Sequence, residues 1–161
     1  MNLEELKEGL AQRGLKPIEE PIRTWLFENV PGENADIILK WIDALKGGEY
    51  KQGKQYLNKD NSYCCLGLLC EVAGVEKRLF PGGVTCYDVE TYRLLFPGGV
   101  TCYDDETYRL PSSLATRLNI NRSGELPNIF ISLIALNDAW DFTFNEIANV
   151  IESYPHLLFN N

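Results

Sequence analysis

Histidine occurs only once in the 161 residues, as His156 near the C-terminal end. A cysteine–histidine nucleophile pair would therefore need the tail to fold back onto one of the five cysteines. Structural zinc takes four sulfur or imidazole ligands, commonly from paired C-x-x-C knuckles. Cys64, Cys65, Cys70, Cys86 and Cys102 have neither that spacing nor nearby histidines, so no metal and no other cofactor is expected. Lysine is absent from residue 79 onward, where four arginines face ten acidic residues, and the whole chain carries a formal charge of -8. Polyphosphate chains and anionic headgroups are held by cationic surface, which argues against nucleic acid and membrane as partners. No apolar run approaches the roughly 18 residues of a membrane span. The opening Met1-Asn2-Leu3-Glu4-Glu5 lacks the basic and apolar regions of a signal peptide. The expectation is a cytoplasmic protein with reduced thiols, and an odd number of cysteines also fits poorly with a complete disulfide framework.

What is present suffices for one core. Apolar residues make up 45% of a chain whose length suits one domain, residues 1–161. Leu3, Leu6 and Leu10 before Gly14 predict a first amphipathic helix. Ile22, Trp25, Leu26 and Phe27 suit a short helix or an irregular lid. Asn34 reads as the N-cap of a helix whose stripe is Ile37, Ile38, Trp41, Ile42 and Leu45, ended by Gly47-Gly48. Asn58 to Asn61, between the runs Gln55-Tyr56-Leu57 and Ser62-Tyr63-Cys64, predict a hairpin, and Cys65 to Val72 a core helix closed at Gly74. Pro111-Ser112-Ser113 open another helix, and Ile129 to Leu136 read as a buried one broken at Asn137-Asp138. Thr143-x-x-Glu146 is a capping box for the last helix, which Pro155 ends. These elements predict an α+β fold, several short helices packed on a small antiparallel sheet with a duplicated hairpin.

The duplication is the most unusual feature. Residues 79–94, LFPGGVTCYDVETYRL, recur as residues 95–110 with one change, Val89 against Asp105. Two 16-residue units are too short and too few for a solenoid. Each predicts a Pro-Gly-Gly turn followed by a small hairpin, the second copy being tolerated in a surface loop. Tyr87, Asp88, Tyr92 and Arg93, with Tyr103, Asp104, Tyr108 and Arg109, suit stacking on a base and pairing with a phosphate. They suit cross-strand packing as well.

Gly48-Glu49-Tyr50-Lys51-Gln52-Gly53-Lys54 follows the P-loop spacing, in which backbone amides wrap a phosphate and lysine neutralises it. Gln55 then stands where the magnesium-binding hydroxyl belongs, and a helix rather than a strand precedes the loop. A flexible lysine loop touching some anion is the remaining functional reading, beside a merely solvated loop. The candidate ligand-binding residues are Tyr50, Lys51, Gln52 and Lys54, with Tyr92, Arg93, Tyr108 and Arg109 from the repeats. No set of nucleophile, base and oxyanion donors emerges, so no catalytic residue is assigned.

Two segments carry a resemblance. Trp41-x-x-Ala44-Leu45-x-Gly47-Gly48-x-Tyr50-Lys51-Gln52-Gly53-Lys54 leads into Tyr63-Cys64-Cys65-Leu66-Gly67-Leu68-Leu69-Cys70. Leu133-x-x-Leu136-Asn137-Asp138 is followed by Phe144-x-x-Ile147-Ala148. Over roughly residues 34–153 the pattern resembles a family of small uncharacterised proteins encoded by bacteriophages and prophages. The resemblance implies the bacterial cytoplasm and a role against host defences or host proteins. The leading expectation is a non-enzymatic phage accessory protein that sequesters a small anionic ligand, such as a nucleotide signal of host defence. The alternative is a protein-interaction module that inhibits or redirects a host protein through its acidic surface. Self-association into a homo-oligomer is left open.

Overall fold

The computed structural model describes residues 1–79, 82–87, 109–126, 129 and 131–159. Its first helix, α1 (Leu3–Gln12), starts at a capping box in which Asn2 and Glu5 exchange side-chain and backbone bonds, and it buries Leu6 and Leu10. The apolar cluster after Pro21 forms a regular helix, α2 (Ile22–Asn29), burying Trp25 and Leu26. Helix α3 (Gly32–Lys46) begins two residues before the expected cap, behind Pro31. Asn34 therefore lies within its first turn, and its side-chain amide donates to the Arg117 carbonyl at 2.8 Å. The predicted stripe holds, with Ile38, Trp41, Ile42 and Leu45 buried and Ile37 half-buried.

Three short strands follow: β1 (Lys51–Gln52), β2 (Asn58–Lys59) and β3 (Ser62–Tyr63). The expected hairpin is β2–β3, tighter than the flanking aromatic runs suggested. Asp60 and Asn61 form its tip with positive φ angles of 52° and 59°, the geometry that Asp and Asn tolerate better than other side chains. Strand β1 joins β3 in parallel, with Lys51 opposite Ser62 and Gln52 opposite Tyr63. This sheet is therefore mixed rather than purely antiparallel.

Helix α4 (Cys65–Val72) is almost wholly buried and packs on α3. Trp41 fixes the pair, its indole N–H donating to the Cys65 carbonyl at 2.7 Å. A separate hairpin comprises β4 (Lys77–Leu79) and β5 (Thr85–Tyr87). The Gly82-Gly83 turn lies between these two strands; of the hairpin expected after it, residues 88–94 lie outside the described residues, as do residues 95–108 of the second copy. Helix α5 (Ser112–Leu118) leads to a last small hairpin, β6 (Glu125–Leu126) and β7 (Ile131–Ser132). The helix expected over 129–136 therefore starts as a strand. Its helical part, α6 (Leu133–Asp138), begins at a Ser132 cap and includes Asn137-Asp138 instead of breaking there.

Helix α7 (Phe144–Ser153) opens on the predicted Thr143–Glu146 capping box and packs on α3. Pro155 ends it and starts a single-turn α8 (Pro155–Leu158). The fold is α+β, with eight helices among the described residues and three separate small sheets in place of one. No helix among the described residues is long and apolar enough to cross a membrane.

Cys64, Cys65 and Cys70 are free and buried in this core. Burial pushes the Cys64 thiol up to about 12, against the weaker effect of the Gly67 amide, which donates to its sulfur. Cys65 and Cys70 are raised for the same reason. Thiolate is the reactive form, so these three should resist iodoacetamide at neutral pH in the folded protein and all react in denaturant. Mass mapping of a carbamidomethyl group on any of them under native conditions would contradict this packing.

Candidate functional site

The lysine loop after β1 is fastened to the α6–α7 connection by its own side chains. Gln52 donates from Nε2 to Asn137 Oδ1 at 3.0 Å and to the Phe142 carbonyl at 2.8 Å, and its Oε1 accepts from the Phe144 amide at 3.1 Å. Asn137, fully buried, donates to the Gly53 carbonyl at 2.8 Å and to Asp138 Oδ1 at 2.7 Å. Asp138 in turn accepts the Gln55 amide at 3.1 Å. Lys54 pairs with Asp141. A loop that resembles an anion cradle in sequence has its amide and one lysine directed at the protein's own carboxylates. On its other side the loop lies close against β3, an approach that Gly53 permits: a Cβ there would lie 2.9 Å from that of Ser62.

The segment held by these bonds is a rigid corner. The Ala139 and Trp140 amides both donate to the Ala135 carbonyl, at 2.9 and 3.1 Å, and the Phe142 amide donates to the Leu136 carbonyl at 3.0 Å. Asp141 completes the turn with a positive φ of 57°, and Phe142 is buried beneath it. Trp140 stands on this corner with 40% of its surface exposed, whereas Trp25 and Trp41 are in the core.

The remaining predicted site residues do not join it. Tyr50 packs edge-on against Tyr63, with ring centroids 5.5 Å apart. It lines an open cleft of about 410 Å³ with Lys40, Asp43, Ala44, Gly47 and Val72. Lys51 is exposed. Arg109 is exposed immediately before buried Leu110. Tyr92, Arg93 and Tyr108 lie outside the described residues.

A second polar cluster sits where β2, α4 and β5 meet. The fully buried Tyr87 donates its hydroxyl to Glu71 Oε1 at 3.0 Å, and Lys77 pairs with the same oxygen. Asn58 reaches the Tyr87 hydroxyl at 3.5 Å, and its own buried Oδ1 has no hydrogen-bond partner among the described residues. Burial, reinforced by the Glu71 charge, raises Tyr87 far above its ordinary range, so it stays a neutral donor. His156, the one histidine, lies on α8, and burial lowers its pKa. Among the described residues no three of His, Cys, Asp and Glu converge as metal ligands. Sequence reasoning missed both the Trp140 corner and this cluster. The signal for the first was available: the lysine loop and Leu136-Asn137-Asp138 are the two motifs of the resemblance, and they are each other's hydrogen-bond partners.

Residues 33–155 match the family described as "Domain of unknown function (DUF8296)", and the chain belongs to that family. No curated protein and no solved structure matches it.

Proposed function

We propose that this chain is a non-enzymatic binding module that blocks or redirects a host protein, with Trp140 as its apolar anchor on a basic partner surface. The observation that carries the reading is the half-exposed Trp140 on a corner pinned by backbone bonds and by Gln52. Tryptophan is enriched at interface hot spots, and an anchor already held in place loses little freedom on binding. The formal charge of -8 favours a cationic partner and a fast, salt-sensitive encounter. The phage setting rests on the sequence resemblance alone.

The small-anion reading asks more of the molecule. Releasing Lys54 from its exposed pair with Asp141 costs about 1 kcal/mol or less. Turning Gln52 towards a ligand breaks three hydrogen bonds, each worth roughly 0.5–1.5 kcal/mol. A nucleotide held by Lys51, Gln52 and Lys54 would have to repay that sum first, whereas a protein partner at Trp140 leaves the network intact.

Affinity capture from bacterial lysate tests the proposal. The parent chain should retain a stoichiometric partner that high salt releases, and Trp140→Ala should lose it while melting within about 0.5 kcal/mol of the parent. Equal capture by Trp140→Ala would sink the proposal. A nucleotide-induced melting shift that Lys51→Ala and Lys54→Ala abolish would move the assignment to the small anion.

A further inference from the structure

We propose that the 16-residue repeat gives the chain two interchangeable segments for one strand slot, Gly83–Tyr87 and the identical Gly99–Tyr103. The slot is demanding. Strand β5 enters it through Gly83, whose φ is 78° and whose carbonyl accepts the Asp60 amide at 2.8 Å. Any Cβ at this position would run into the Asp60 carboxylate. Val84 then bridges to Lys59, Cys86 is buried, and Tyr87 is fully buried with its hydroxyl on Glu71. Glycine at a positive φ, followed after three residues by a buried tyrosine that must donate, is a specification few segments meet.

The chain meets it twice. Gly99-Val100-Thr101-Cys102-Tyr103 repeats Gly83-Val84-Thr85-Cys86-Tyr87 residue for residue. The slot is formed by Asn58, Lys59, Asp60, Glu71 and Lys77, which precede the repeat, and by Leu79, the repeat's first residue, which pairs with Thr85. These partners therefore have no side chain by which to distinguish one copy from the other. The downstream anchor is common to both arrangements: Leu110 is fully buried, its amide donates to the Arg122 carbonyl at 2.9 Å, and Pro111 caps α5 directly after it.

Loop closure does not break the tie. In the observed register five residues (80–84) join β4 to β5 and 22 residues (88–109) join Tyr87 to Leu110. With Thr101–Tyr103 in the slot, the first connection grows to 21 residues and the second shrinks to six. Closure cost rises only with the logarithm of loop length, so lengthening one connection is offset by shortening the other.

Four variants test this by thermal melting: Tyr87→Ala, Tyr103→Ala, the double substitution, and Tyr87→Ala in a chain lacking residues 88–103. That deletion joins Tyr87 to Asp104 and leaves one complete repeat. It should melt close to the parent. Each single substitution in the full chain should leave melting near the parent's, since it removes one of two equivalent states and shifts the folding constant about twofold. The double substitution should lower melting as strongly as Tyr87→Ala does in the one-repeat chain. Thiol alkylation supplies an independent readout, with Cys102 protected in Tyr87→Ala and Cys86 protected in Tyr103→Ala. If either single substitution alone matches the double one, or if Tyr87→Ala is silent in the one-repeat chain, the proposal is overturned.

Discussion

Gly67→Ala should lower the free energy of unfolding by about 3 kcal/mol or more, although on helix propensity alone the same change would add about 1 kcal/mol. Gly67 lies buried in the first turn of α4, a helix whose other buried residues are all cysteine or leucine. Its Cα faces the backbone of Leu57, and a Cβ would sit well inside the radius of the Leu57 carbonyl oxygen. A flexible side chain in that position can rotate away, but a carbonyl cannot. This one is also held by the Cys64 amide, which donates to it at 3.2 Å. Relief therefore requires α4 to move away from the Tyr56-Leu57 segment, which would loosen fully buried Leu57 and strain the Trp41 bond to Cys65. Native domains have only about 5–15 kcal/mol in hand. Gly9→Ala is the matched control, because Gly9 lies within α1 with no atom near its missing Cβ. That change should stabilise by up to about 1 kcal/mol. Urea denaturation of both variants checks the pair, and a Gly67→Ala midpoint at or above the parent's would refute the packing described.

The contrast between those glycines shows what sequence reveals here and what it withholds. Helices with a repeating apolar stripe and a chemical cap were legible: the Leu6–Leu10 face of α1, the Ile38–Leu45 stripe of α3 and the Thr143 capping box of α7. Strands two residues long carry no period to read, so β1, β6 and β7 were invisible, and Ile131-Ser132 was absorbed into a helix. Asn34 has the chemistry of a cap, and only the distant Arg117 carbonyl decides that it acts elsewhere. The surroundings of the candidate site were hidden for the same reason. Lys51, Gln52 and Lys54 display donors in a row, but the acceptors that engage Gln52 and Lys54 lie more than 80 residues away in α6 and the corner after it. Exposure of Trp140, against burial of Trp25 and Trp41, is likewise set by tertiary packing and not by neighbours in sequence.

Asn137 is the residue on which that long-range engagement turns, and Asn137→Ala should cost roughly 2–4 kcal/mol. The side chain is fully buried, donates to the Gly53 carbonyl and to Asp138, and accepts from Gln52. Alanine would leave the Gly53 carbonyl without this donor and remove one of the two acceptors that orient the Gln52 amide. Because both residues belong to one network, Gln52→Ala should add less in the Asn137→Ala background than alone, by at least about 0.5 kcal/mol. Asn137→Asp separates hydrogen bonding from volume. The new carboxyl would be buried beside Asp138 and, once ionised, would have no proton to give Gly53. Burial and the neighbouring charge would raise its folded pKa above its unfolded value, so the native state would hold the proton more tightly. Stability of this variant should therefore be greatest at acid pH and fall as pH rises through the folded pKa, a slope that Asn137→Ala lacks. The corner follows the network: with Gln52 no longer held, Phe142 loses a partner and Trp140 loses its fixed setting. Acrylamide quenching of tryptophan fluorescence should then rise in Gln52→Ala at temperatures where the chain remains folded. If quenching and partner capture both match the parent in that variant, Gln52 is not what positions Trp140, and the anchor would have to rest on the α6 backbone bonds alone.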